Sequence, residues 1–160
     1  MGAELLGRYI IPALAGAFLA VLALGQPALA DILISVDKTT QRMTVSVEGE
    51  VRYTWPVSTG KPGYDTPNGT FWALYKDKDH KSNEYENAPM PYSIFFTRRG
   101  NAVHGTKLRG LGKAVSHGCV RLSVEHAAIL WDLVSKYPLY STVFQIGGAI
   151  PGQKIASKSR

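Results

Sequence analysis

The chain has 160 residues, 45% hydrophobic and 19% charged, with a formal net charge of +6. That length leaves room for one domain around one core, and the single cysteine excludes an internal disulfide. The basic balance suits an anionic partner such as a membrane or an acidic cell wall. Scattered lysines and arginines argue against a dedicated nucleic-acid stripe.

The first 30 residues read as an export signal. Arg8 supplies positive charge, Ile10 to Leu24 is apolar, and Ala28-Leu29-Ala30 gives the small-x-small pattern of a cleavage site. This predicts a mature start at Asp31. The apolar run is short of the roughly 20 residues a membrane helix needs, so no stable span is expected after cleavage. An uncleaved anchor is the alternative. With no cysteine near the leader's end, a lipid-modified N-terminus is not supported.

Period-2 alternation then dominates. Ile32, Ile34 and Val36 predict one half-buried strand, and Met43, Val45 and Val47 a second. Glu48-Gly49-Glu50 reads as a tight turn into a third strand over 51–57. Residues 60–69 are dense in glycine and proline and read as an ordered loop. A strand is expected over 71–75, then a long polar loop over 76–91, a length usually functional or mobile. Strands over 92–97 and 102–104 flank an Arg99-Gly100-Asn101 turn. Ser123 is a good N-cap for a helix carrying Val124, Ala127, Ala128, Trp131 and Val134. A last strand is expected over 142–146 and a flexible tail over 147–160. Trp55, Trp72 and Trp131 are expected in the core. These elements make a mainly β domain with one C-terminal helix.

The lone Cys119 lies in Ser116-His117-Gly118-Cys119-Val120-Arg121-Leu122, and His104-Gly105 lies 15 residues upstream. A thiol attacks as thiolate, and at a pKa of about 8.5 only a few per cent is ionised near neutrality. A histidine within reach can take that proton and later deliver it to a leaving amine. His104 is expected at a strand end and Cys119 at the start of the next strand, with the loop between them closing the pair. Glycine at 118 permits dihedrals that aim backbone amides at an oxyanion. No Asp or Glu occurs in 101–124 to orient a histidine, so a backbone carbonyl such as that of Gly105 must serve if His104 is the base. A zinc site of His104, His117 and Cys119 is a rival, but His-x-Cys is not a familiar ligand spacing. His80 and His126 are expected as surface or packing residues. Arg121 either pairs with a substrate carboxylate or is locked to carbonyls. Tyr92 and Ser93 are candidates for a substrate pocket.

His104-Gly105-Thr106 followed by Ser116-His117-Gly118-Cys119 resembles the signature of YkuD-type L,D-transpeptidases. So do Trp55-Pro56-Val57-Ser58-Thr59-Gly60, Thr66-Pro67-Asn68-Gly69-Thr70-Phe71 and Met90-Pro91-Tyr92-Ser93-Ile94-Phe95-Phe96. The resemblance covers roughly residues 32–146. It implies a β-sandwich-like catalytic domain over 31–146, acting in the periplasm or cell envelope with no cofactor or metal. In the family the cysteine attacks the third residue of a peptidoglycan tetrapeptide stem, D-alanine leaves, and an amine resolves the acyl-enzyme. The match makes Cys119 the nucleophile and His104 the base, oriented by the Gly105 carbonyl. His117 and Gly118 match positions that shape the nucleophile's turn and oxyanion site, while Ser116 and Arg121 fall among the substrate-binding candidates. The implied partners are stem peptides and an envelope protein as a possible acceptor. Two features depart from the pattern: the segment between His104 and Ser116 holds only 11 residues, and Arg121 stands where many members carry Asn. The same residues would serve a hydrolase, in which water replaces the amine. A non-catalytic wall-binding module is the third reading.

Overall fold

A computed structural model describes residues 30–151. The expected export signal, Ala30 apart, and the tail beyond 151 lie outside the described residues. Strands β1 (Ile32–Asp37), β2 (Arg42–Val47) and β3 (Glu50–Pro56) form the expected antiparallel meander. Glu48 and Gly49 both take positive φ (50° and 84°), the condition for the two-residue turn that matches strand twist. β1 also pairs in parallel with β9 (Thr142–Gly147), and β4 (Gly69–Trp72) closes the far edge of this five-stranded sheet. Ile32, Ile34, Val36, Met43, Val45, Phe144 and Ile146 all point inward, so the period-2 pattern defines one buried face.

The second sheet has four strands in sequential order: β5 (Tyr75–Lys81), β6 (Pro89–Phe95), β7 (Ala102–Thr106) and β8 (Val120–Ser123). Ile94, Val103, Val120 and Leu122 face the first sheet's apolar side. Helix α1 (Val124–Val134) completes this core with Ala127, Leu130 and Val134. The Ser123 hydroxyl accepts from the His126 amide at 3.1 Å, the expected N-cap. Removing a fully buried side chain such as Leu130 by substitution with Ala costs about 2–5 kcal/mol.

Several expectations are corrected. The long loop over 76–91 is a hairpin instead: β5, a tip at 82–88, and β6. β5 is an edge strand mostly exposed on both faces, so it carries no apolar period, and its charges guard the open edge. Trp72 is 56% exposed rather than core, because its strand neighbour Phe71 takes the inward face. The start of the expected tail is packed: Gly147 ends β9, the Ala149 amide donates to the Thr39 hydroxyl at 3.1 Å, and Ile150 is buried. β7 continues to Thr106, which places His104 in the middle of the strand.

Beyond β3 the chain crosses from one sheet to the edge of the other. Ser58 exchanges backbone hydrogen bonds with Arg121 at 3.0 and 2.8 Å, and Ser116 donates to the Thr59 carbonyl at 2.9 Å. Buried Gln41 clamps this segment through the Thr59 amide and hydroxyl. The long link between parallel β7 and β8, which a parallel pair requires, is therefore tied to both sheets.

Candidate active site

The outward face of the four-stranded sheet carries the chemistry. Parallel pairing sets His104 beside Arg121 and Val103 beside Val120. Val103 and Val120 point into the core, so alternation turns Ala102, His104, Cys119 and Arg121 to the other side. There His104, Cys119 and Arg121 line a cleft of about 420 Å³, whose floor includes Phe95 and whose walls include Tyr85 and His117. A larger open depression of about 560 Å³ lies on the outer face of the other sheet. Its lining includes Ser35, Thr44 and Gln145, with no thiol or imidazole, so it is not where nucleophilic chemistry would occur.

His104 is buried, and its Nδ1 lies 2.8 Å from the Gly105 carbonyl oxygen. A carbonyl only accepts, so Nδ1 carries the proton and Nε2 is left as a base. Burial pulls this imidazole down to about 4, against the opposing pull of the Gly105 carbonyl; Arg121 and His80 lower it further. Gly105 itself faces α1. A Cβ there would meet the Val124 Cα at 3.0 Å and the Ala127 Cβ at 3.3 Å, so glycine lets the helix seat this closely against β7.

Cys119 is half-buried and packs beside Met90, Phe95 and Ala102. Its Sγ points toward the Gly100 carbonyl oxygen at 3.8 Å. Burial pushes the thiol up, while the Ala102 backbone and the Arg121 guanidinium favour the thiolate. The same desolvation thus favours the neutral form of both the thiol and the imidazole.

The turn before Cys119 is fixed on every side. The Ser116 hydroxyl donates to the Cys119 carbonyl at 2.6 Å and accepts from the Gly118 amide at 3.1 Å. Gly118 takes φ +113°, and its carbonyl accepts from the Thr66 hydroxyl and the Asn101 amide. Ser116 is fully buried in this bracing role and does not line the cleft. Tyr92 and Ser93 are not brought to the cleft either. The Ser93 hydroxyl is buried on the Met90 carbonyl at 2.8 Å, and the Tyr92 ring turns toward Trp131 on α1.

His117, which the resemblance places among the residues that shape the nucleophile's turn, makes aromatic contacts. It stacks on Tyr85 at 4.6 Å and meets Tyr64 edge-on at 4.7 Å. Desolvation lowers its pKa, helped by Lys61 and Arg121. Tyr85 belongs to the tip of the β5–β6 hairpin, so that tip reaches across to the turn before the nucleophile. His80, expected as a surface or packing residue, packs its ring edge-on to Phe95 and also lines the cleft from β5, with its Nδ1 3.0 Å from an Asp77 carboxylate oxygen. The charged run of β5 gave no sign of this, because only pairing with β6 reveals which side each residue faces. Among the described residues no three His, Cys, Asp or Glu side chains gather as metal ligands.

The family model for the L,D-transpeptidase catalytic domain matches residues 31–149. The chain belongs to the L,D-transpeptidase catalytic domain family. L,D-transpeptidase 1 of Mycobacterium tuberculosis is 35% identical over 120 residues, covering 66% of this chain and 48% of that protein. An L,D-transpeptidase from Mycobacterium smegmatis superposes with a TM-score of 0.66 at 30% identity, covering 74% of this chain and 59% of the other. L,D-transpeptidase LdtMt1, solved in complex with imipenem, gives 0.65 at 27% identity over 73% and 59% of the two chains. The chain spans about half the length of the curated L,D-transpeptidase it matches in Mycobacterium tuberculosis. The mainly β fold with two sheets and one helix is that of L,D-transpeptidases. Among the described residues no helix is long and apolar enough to cross a membrane.

Proposed function

We propose that this chain is an exported peptidoglycan L,D-transpeptidase that works through a Cys119 acyl-enzyme. The observation that carries this is the His104 tautomer: its Nδ1–H is fixed on Gly105, which leaves a basic Nε2 on the same sheet face as Cys119. His104 Nε2 takes the thiol proton as sulfur attacks the carbonyl carbon of the third stem residue. The tetrahedral oxyanion lies at the Cys119 amide, which has no acceptor within hydrogen-bond reach among the described residues. The C–N bond breaks, and imidazolium protonates the departing D-alanine amine. An acceptor amine then gives its proton to His104 and attacks the thioester, the C–S bond breaks, and the imidazolium returns that proton to the Cys119 sulfur. That acceptor is a second stem or an envelope protein.

A neutral resting pair suits this sequence of events. The proton moves only as negative charge passes from sulfur to oxygen, so no buried ion pair has to persist between turnovers. Arg121 lines the cleft half-buried, with no carboxylate partner among the described residues. It would hold a free carboxylate of the stem and favour charge on sulfur. A relative was solved in complex with imipenem, and the same attack by Cys119 on the strained lactam carbonyl would acylate this enzyme. The deciding experiment incubates purified tetrapeptide stems with wild type and Cys119→Ala and resolves the products by mass spectrometry. A crosslinked dimer with loss of D-alanine, absent with Cys119→Ala, is expected. Cleaved stem without dimer would assign water as the acceptor. Equal turnover by folded Cys119→Ala would overturn the nucleophile.

A further inference from the structure

We infer that Thr66 and Asn101 are positioning residues that aim the Cys119 amide at the reacting carbonyl. The inference rests on the Cys119 acyl-enzyme reading above. Both side chains donate to one atom, the Gly118 carbonyl oxygen, at 3.0 Å from the Thr66 hydroxyl and 3.1 Å from the Asn101 amide. The carbonyl of Gly118 and the N–H of Cys119 belong to one planar peptide and point in opposite directions. Holding the oxygen therefore fixes the direction of the amide.

The anchors are themselves held. Thr66 is fully buried, and its hydroxyl accepts from the Gly60 amide at 2.9 Å, which leaves its proton for Gly118. Its carbonyl receives the Nζ of buried Lys38 at 2.9 Å, so the 60–69 loop cannot slide along the turn. Asn101 is oriented from its other end, where its Oδ1 accepts from the Thr97 hydroxyl at 2.8 Å. Each rotor is thus set by a partner outside the reacting groups, as a preorganised site requires. Two donors on one carbonyl also polarise the shared peptide and make the Cys119 N–H a stronger donor. Gly118 allows the arrangement, because its φ of +113° is open to glycine and its missing Cβ leaves Asn101 Nδ2 in place. An oxyanion donor must lie about 2.7–3.1 Å from the developing charge, so a small rotation of this peptide forfeits it.

The test separates a reaction that builds an oxyanion from one that does not. Acylation of Cys119 by imipenem passes through a tetrahedral oxyanion, whereas alkylation by iodoacetamide displaces iodide directly at carbon. Thr66→Val keeps the shape and removes the hydroxyl; Thr66→Ser keeps the hydroxyl. The full-length enzyme is followed by intact-protein mass spectrometry with both reagents across pH. The expected result for Thr66→Val is imipenem acylation slower by about tenfold or more, with the rate and pH profile of alkylation unchanged. Thr66→Ser should restore acylation. Asn101→Ala removes the second donor and should show the same split, which keeps the test open if Thr66→Val does not fold. Unchanged acylation in these variants overturns the inference. Equal loss of acylation and alkylation also overturns it, since the residues would then only place the sulfur. Wild type that alkylates but is never acylated would instead overturn the acyl-enzyme reading itself.

Discussion

Acidification tests the environment of His104 directly. Its folded pKa lies near 4 against 6.5 for a free imidazole, and the first cause is burial. Between those values the unfolded chain binds more protons than the folded one, so stability falls as pH falls. At 1.36 kcal/mol per unit the gap costs about 2 kcal/mol by pH 5 and about 3 kcal/mol by pH 4, and below that the loss levels off. Wild type and His104→Gln are unfolded in urea at several pH values from 7 to 4. The variant removes this proton linkage and leaves that of every other group, including His117, which is also depressed. The wild-type curve should therefore fall more steeply, by about 2–3 kcal/mol across the range, whatever stability the variant has at pH 7. Parallel curves would refute the buried neutral imidazole, and with it the neutral resting pair. The imipenem acylation rate should carry the same signature. A base with a pKa near 4 stays unprotonated at pH 5.5, so acylation should keep its acid limb near 4 rather than near 6.5.

Four further outcomes are expected. Cys119→Ala should melt close to wild type, because the thiol is half-buried, and should take up no imipenem mass. Gly118→Ala should lose about 1–2 kcal/mol in urea unfolding and acylate more slowly, because φ +113° is strained for any Cβ and the added methyl meets Asn101 Nδ2 at 3.1 Å. Arg121→Gln should raise KM for stems bearing free carboxylates and leave amidated stems unchanged; an equal effect on both would remove it from substrate recognition. Mass spectrometry of the envelope fraction should find Asp31 at the N-terminus, and a full-length cytosolic product would contradict export.

Sequence alone was enough wherever a local pattern carries the physics. Alternating Ile, Val and Met residues define one buried face of a strand regardless of what covers it. Glu48-Gly49 supplies the positive φ of a two-residue hairpin, and Ser123 caps its own helix. Cys119 and His104 stood out because a lone thiol among glycines and histidines has little structural use, and the Gly105 carbonyl was the orienting group left by the absence of acids. Tertiary structure decided what depends on distant partners. The β5 segment reads as a loop because an exposed edge strand has no buried face to impose a period. His80 enters the cleft only through the β5–β6 register, and Tyr64 and Tyr85 meet His117 from two separate segments of the chain. Ser93 and Ser116 look like substrate hydroxyls in a sequence, yet both are consumed by nearby carbonyls. Lys38 and Gln41 are buried, although charge and amide groups usually stay in water. They are inside because backbone carbonyls of the 38–66 region satisfy them there. Pairing and burial join residues far apart in the chain, and no local pattern records which distant carbonyl, ring or strand will answer a given side chain.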